Sequence, residues 1–238
     1  FYRKDSNKII INPLSKNYNF LRETSNIYFL TTYNKSQEDT LVKCLIKKEK
    51  SRNLSFILNN SENMKTRYFL FKNRLSSVFP SIVLKEFKNS LSVNKGSFTF
   101  LSNTENTVVI LSEDKAFLKK VVTFCGASDS LIRVYTLDPL KQIDELNIET
   151  LMKLNVHIPV SNYFDRQYVD NKKLLHDFEK KFHHQMDKYS LLSFQSMLHF
   201  CSKNKQFTFK RFSKKGGYIN TNIRMCVYKD YQLIPVYN

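Results

Sequence analysis

Four histidines and two adjacent carboxylates are the residues whose type and spacing bear most directly on chemistry. His176, His183 and His184 fall in one segment with helical periodicity, and His199 falls in the next. His176 and His183 share a helix face, but helical metal ligands come as i, i+3 or i+4 pairs with a third ligand. Surface histidines on a charged helix are therefore expected, with no metal. Glu113 and Asp114, with Ser112 before them, follow the apolar run 108–111, where an α/β domain places its site. The two acids equally suit the first turn of a helix, where carboxylates offset the positive pole. No GxSxG elbow, phosphate loop, GxGxxG or HExxH occurs. Cys44, Cys125, Cys201 and Cys226 have no CxxC spacing, so buried free thiols are expected. A Cys201–Cys226 disulfide is the alternative for an exported chain. An enzyme is the least favoured class, and no cofactor is implied.

These residues sit on elements that repeat one rhythm between residues 36 and 165: a short apolar run, a polar loop, then a longer segment of helical period. The apolar runs are 54–58, 82–87, 108–111, 131–137 and 156–160. Such alternation predicts parallel strands joined by crossover helices, hence an α/β domain with ligands beyond the carboxyl ends of the strands. Strands are also predicted at 9–11 and 27–32. A helix is expected to begin at Ser36, capped by its hydroxyl with Asp39 as acidic partner, and to end in the basic run 47–50. Two helices over 170–186 and 188–202 precede an extended tail: 207–212, a turn at Gly216 and Gly217, then a hairpin of 223–228 and 232–236.

The net charge is +17. Two readings of it stand: a polyanion partner, or a codon bias that raises lysine, asparagine, isoleucine, phenylalanine and tyrosine alike. Tryptophan is absent, glycine and proline number 4 and 5, and alanine occurs only at Ala116 and Ala127, which favours the bias. The best local case for a polyanion, nucleic acid or an anionic envelope polymer, is 205–215 (KQFTFKRFSKK), where aromatics alternate with cations. An edge strand with lysines guarding its outer face accounts for it as well and is preferred. No stretch approaches the ~20 apolar residues of a membrane span.

Four stretches carry a resemblance to the type I periplasmic-binding-protein family, the branched-chain amino-acid receptor class. Residues 9–15 (IIINPLS) resemble the strand and Ser-Pro loop of the first lobe, and 26–32 (NIYFLTT) the crossover into the second. Residues 154–165 (LNVHIPVSNYFD) resemble the returning strand. Residues 216–236 (GGYINTNIRMCVYKDYQLIPV) are similar to the C-terminal strands of bacterial envelope relatives that carry peptidoglycan-binding LysM repeats upstream.

The resemblance implies a two-lobed fold of parallel sheets flanked by helices, its first lobe incomplete. Residues 1–34 would be a remnant of that lobe, 35–158 the second lobe, 159–205 the return to the first, and 206–238 the strands crossing back. It further implies a non-enzymatic, solute-binding domain of the periplasm or cell envelope that captures a small, amino-acid-like ligand between lobes. In that class a hydroxyl beside the Ser-Pro loop holds the ligand carboxylate and an acid after a second-lobe strand pairs with its ammonium. Ser15 and Asp138 fall at the matching positions, with Ser112 and Asn63 as further ligand residues. Asp138 also reads as a turn residue before Pro139. Asn12, Leu14 and Lys16 depart from the family's loop, and no aromatic lid stands near Asn63. The alternatives are a scaffolding module of the same fold that has lost its ligand, or a cytoplasmic, basic nucleic-acid-binding protein.

Overall fold

The computed structural model describes residues 8–236 except 15–16, 33, 50–52, 80, 99, 102–103, 138–139, 141–142, 144 and 203–205. The chain forms two compact units: Phe1–Ser36 with Ser161–Ile223, and Gln37–Val160 with Arg224–Asn238.

The second unit is a seven-stranded sheet. Strands β3 (Asn53–Asn59), β4 (Ile82–Phe87), β5 (Asn106–Leu111), β6 (Ile132–Thr136) and β7 (His157–Ser161) alternate with α1 (Asn34–Lys48), α2 (Glu62–Leu75), α3 (Lys115–Gly126) and α4 (Ile148–Lys153). Strands β10 (Ile223–Lys229) and β11 (Gln232–Pro235) complete the order β11-β10-β7-β6-β5-β3-β4. The pairs β4–β3, β3–β5, β5–β6 and β6–β7 are parallel. Because β3, first in the chain, lies between β4 and β5, the winding direction reverses there.

Alternation along the strands explains why both faces are covered. Leu54, Phe56 and Leu58 of β3 pack with Leu41, Val42 and Leu45 of α1 and Met64, Tyr68, Phe71 and Leu75 of α2. Ile57 of β3, with Val108 and Ile110 of β5, meets Phe117, Leu118, Val121 and Val122 of α3 and Leu151 of α4 on the other face. All six residues of β5 are buried, as a central strand covered on both sides requires. The hairpin β10–β11 turns at Asp230 and Tyr231, both with positive φ (50° and 59°), the geometry of a two-residue turn matched to strand twist.

The first unit is a four-stranded sheet in the order β1-β2-β9-β8, from β1 (Ile10–Asn12), β2 (Ile27–Thr32), β8 (Phe209–Arg211) and β9 (Tyr218–Asn220). Helices α5 (Val169–Phe182) and α6 (Lys188–Cys201) belong to it. Its buried cluster comprises Leu21, Phe29 and Ile219. The chain passes to the second unit for the last time at 223/224, since β9 pairs parallel with β2 and β8 pairs antiparallel with β9. Helix α1 begins at Asn34, ahead of the expected cap at Ser36. Asp39 accordingly lies past the first turn, where it accepts from Arg74 Nη1 at 2.6 Å.

Candidate functional site

The carboxyl ends of β3 and β5 flank the reversal in strand order, and crevices at such points are where α/β sheets take ligands. Two of the expected site residues lie there. Ser112 directly follows β5 and Asn63 sits in the first turn of α2, after β3. Ser15 and Asp138 lie outside the described residues. The register pairs Leu58 with Leu111, so Asn59 and Ser112 come next on the two neighbouring strands. Ile57 and Ile110 face α3, and alternation places Asn59 and Ser112 on that same side.

Local sequence fixes this edge. Ser61 caps α2 by accepting from Met64 N at 3.3 Å. Asp114 caps α3, its Oδ1 accepting from Ala116 N (2.9 Å) and Phe117 N (3.2 Å). Of the two expected roles for Asp114, the structure therefore shows the helix-start one. Ser112 is buried, and its Oγ accepts from Asp114 N at 3.0 Å. Asn63 is exposed. Glu113 Oε1 accepts from Arg67 Nη1 at 3.0 Å, while Arg67 Nε bonds Glu38 Oε1 at 3.0 Å. Arg67 and Glu38 are largely buried, so each charge needs the other.

Asn59 ends β3 at this edge and was not among the expected site residues. Its Oδ1 is buried and has no hydrogen-bond partner among the described residues. The only sequence signal is a polar residue closing an apolar strand, and its meaning depends on a strand order that local pattern does not encode. Chemically the edge holds a buried acceptor without a partner, a hydroxyl tied to backbone and a carboxylate tied to a guanidinium. Ser112 Oγ bonds only the Asp114 backbone among the described residues.

A second polar cluster involves Glu49, after α1, with Thr107 of β5, Arg133 and Tyr135 of β6 and His157 of β7. Glu49 is fully buried; its Oε1 accepts from Arg133 Nη1 (2.6 Å) and Tyr135 OH (2.8 Å), and its Oε2 from Thr107 Oγ1 (2.9 Å). Burial pushes the Glu49 carboxyl up, but these hydrogen bonds outweigh it and hold the group below the usual range. His157 stacks on Tyr135 at 4.6 Å, and its Nδ1–H donates to Asn155 O at 2.5 Å. Burial lowers its pKa to about 4, so the ring is neutral. This cluster is a satisfied structural latch.

His176, His183 and His184 are exposed on α5 and just beyond it. His199 is buried, and its Nδ1 accepts from Phe207 N at 3.1 Å. No disulfide links the cysteines among the described residues; Cys125 and Cys226 are buried, Cys44 partly so, and Cys201 is exposed. Strand β8 lies at the sheet edge with Lys210 and Arg211 outward. Phe209 packs edge-on against Tyr28 (5.1 Å) and His199 (5.2 Å), so this aromatic belongs to the unit's packing. No helix among the described residues is long and apolar enough to cross a membrane.

No family model matches the chain, and no curated protein matches it significantly. Solved structures do match. LpoA from Haemophilus influenzae aligns with a TM-score of 0.51 at 13% identity, over 96% of this chain and 43% of that one. An ABC transporter substrate-binding protein from Desulfitobacterium hafniense, in complex with Leu, aligns at 0.58 with 7% identity, over 96% of this chain and 73% of that one. A branched-chain amino acid ABC transporter periplasmic ligand-binding protein from Burkholderia xenovorans aligns at 0.55 with 11% identity, over 89% and 70%. The chain thus spans less than half the length of LpoA. With its strand order and its helices on both sheet faces, the chain has a type I periplasmic-binding-protein-like fold.

Proposed function

We propose that this chain is a non-enzymatic, solute-binding-protein-like domain that takes a small, amino-acid-like ligand at the carboxyl ends of its second-unit strands. The observation that carries the reading is the reversal of strand order between β3 and β5, with Asn63, in the first turn of α2, and Ser112 following these neighbouring strands at their carboxyl ends. Two structural neighbours support the ligand class by their contents, one solved with Leu and one, from Streptococcus pneumoniae, with isoleucine. Ser15 and Asp138 are assigned by resemblance to the ligand's carboxylate and ammonium. Placement in the periplasm or cell envelope, and linkage to peptidoglycan through LysM repeats upstream, rest on the same sequence resemblance.

Isothermal titration of the chain with leucine, isoleucine, valine and a mixed amino-acid panel tests the reading. Heat with at least one, and a loss of roughly tenfold or more in affinity on Asp138→Ala, is the expected result, since a charge-assisted hydrogen bond is worth ~1.5–3 kcal/mol. Silence across the panel overturns it in favour of a scaffolding module. Binding to DNA or RNA with a steep salt dependence would instead support the nucleic-acid alternative.

A further inference from the structure

We propose that Asn59 is itself a ligand-binding residue: its side-chain carbonyl accepts a hydrogen bond from the ligand, which therefore presents a donor such as an ammonium here and not an acceptor-only group. The inference rests on the solute-binding reading above and sharpens it. Asn59 Oδ1 is buried with no hydrogen-bond partner, the one such side-chain atom among the described residues. Buried polar atoms are nearly always paired, because an unpaired one loses its water and gains nothing in return. An orphan therefore needs a reason, and position supplies it.

The orphan is at the end of β3, at the reversal of strand order and beside Ser112. The groups around it are already committed. The Asn59 backbone carbonyl accepts from Ser61 N at 2.7 Å, and Asn60 N donates to Phe87 O at 2.7 Å. Ser112 Oγ lies 3.0 Å from Asp114 N and 3.5 Å from Asp114 O, so its hydrogen bonds are local to the α3 cap. These bonds hold the backbone at Asn59, and none of the neighbouring groups donates to its Oδ1. An apolar residue would continue the pattern of Ile57 and Leu58 without any orphan. Asparagine there carries the cost of an unpaired acceptor until a donor reaches it. A carboxylate or phosphate oxygen does not meet this need; the ammonium of an amino acid does.

The test compares wild type with Asn59→Val in two arms. Without ligand, the thermal midpoint of the variant is expected to equal or exceed that of wild type, since the orphan is gone. A fall of more than about 3 °C, a sizeable effect for a chain of this length, would show that the amide holds the loop and would overturn the proposal. With ligand, L-leucine and 4-methylpentanoate differ only in the ammonium. Leucine is expected to raise the wild-type midpoint and 4-methylpentanoate to leave it unmoved, with leucine affinity reduced tenfold or more in the variant. Equal shifts from the two compounds, or leucine binding that survives Asn59→Val, sinks this assignment alone. Silence of the full amino-acid panel with wild type sinks the solute-binding reading and this assignment with it.

Discussion

The two units solve the same packing problem with different means. The second unit buries a wide sheet on both faces, with α1 and α2 on one side and α3 and α4 on the other. The first unit has three strands of only three residues, and α5 buries none of its fourteen. What it has instead is directional. Tyr28 stacks on Tyr218 at 4.5 Å and meets Phe200 and Phe209 edge-on at 5.3 and 5.1 Å. Asn220, fully buried, donates to Leu30 O at 2.9 Å and to Asn162 Oδ1, and Asn162 donates to the same Leu30 carbonyl at 3.2 Å. The hydroxyls of Thr32 and Ser161 bond to each other beside them. The contrast teaches that apolar area specifies a unit when there is enough of it, and that aromatic geometry and polar pairing take over when there is not.

The sharpest way to break that contrast is to cut one large side chain from each core. Phe56 is fully buried against Tyr68 and Phe71 at ring distances of 5.3 and 5.8 Å. Phe56→Ala is expected to cost about 3–5 kcal/mol, because the two-sided core cannot collapse onto the cavity. Leu21→Ala in the thin first-unit cluster is expected near the low end, about 2–3 kcal/mol, because its surroundings can relax. Guanidinium unfolding of both variants is the measurement; equal costs would remove the distinction between the cores.

The second unit's latch makes a pH prediction of similar size. The folded pKa of His157 is depressed to about 4, so the unfolded chain takes up the proton first as pH falls. The stability from burying the neutral ring is present above the unfolded value near 6.5, and is lost between there and about 4, by on the order of 3 kcal/mol. Glu49, also depressed, contributes stability above its unfolded pKa and loses it in a lower window, as pH falls through its folded value. Unfolding midpoints from pH 7 to pH 4 should decline, and His157→Gln should flatten the decline. An unchanged slope in that variant would remove His157 as the cause.

The same contrast decides what was legible in the sequence. Strands β2 and β4 coincide with the runs read at 27–32 and 82–87, and the two strands of the β10–β11 hairpin were visible as the runs 223–228 and 232–236. These are local patterns. Glu49 was not legible, because a glutamate in the basic run 47–50 reads as a solvated helix end. Its burial depends on Arg133, 84 residues away. The strand at 207–212 was anticipated, but β9 pairs with β2 near the other end of the chain, and nothing in residues 216–220 announces that partner. At the candidate site, the positions of Ser112 and Asn63 after two strands followed from the rhythm of strands and helices, although Asn63 lies in the first turn of α2. Asn59 did not, since its interest arises only where β3 lies between β4 and β5.

Smaller changes then test whether directional contacts carry the first unit. Asn220→Ala leaves the Leu30 carbonyl and Asn162 Oδ1 short of a donor and deprives Asn222 N of its acceptor at 2.9 Å. A loss of about 1–3 kcal/mol is expected, with faster amide exchange in β2 and β9 and no change in β5. Protection lost equally in β5 would show that the network does not belong to the first unit alone.

The smallest effect should have the opposite sign and fall in the second unit. Tyr231 is exposed and holds φ at 59° in the β10–β11 turn, a region where a side chain strains the backbone and glycine does not. Its backbone N–H lies 3.2 Å from Met152 Sδ, a contact that survives loss of the side chain. Tyr231→Gly should relieve the strain but also raises the entropy of the unfolded chain, so the net gain is about 0.5–1 kcal/mol. A rise in unfolding midpoint confirms that the hairpin edge is limited by turn geometry. A fall would mean that the exposed ring contributes packing there, and that even the well-covered unit relies on an aromatic contact at its edge.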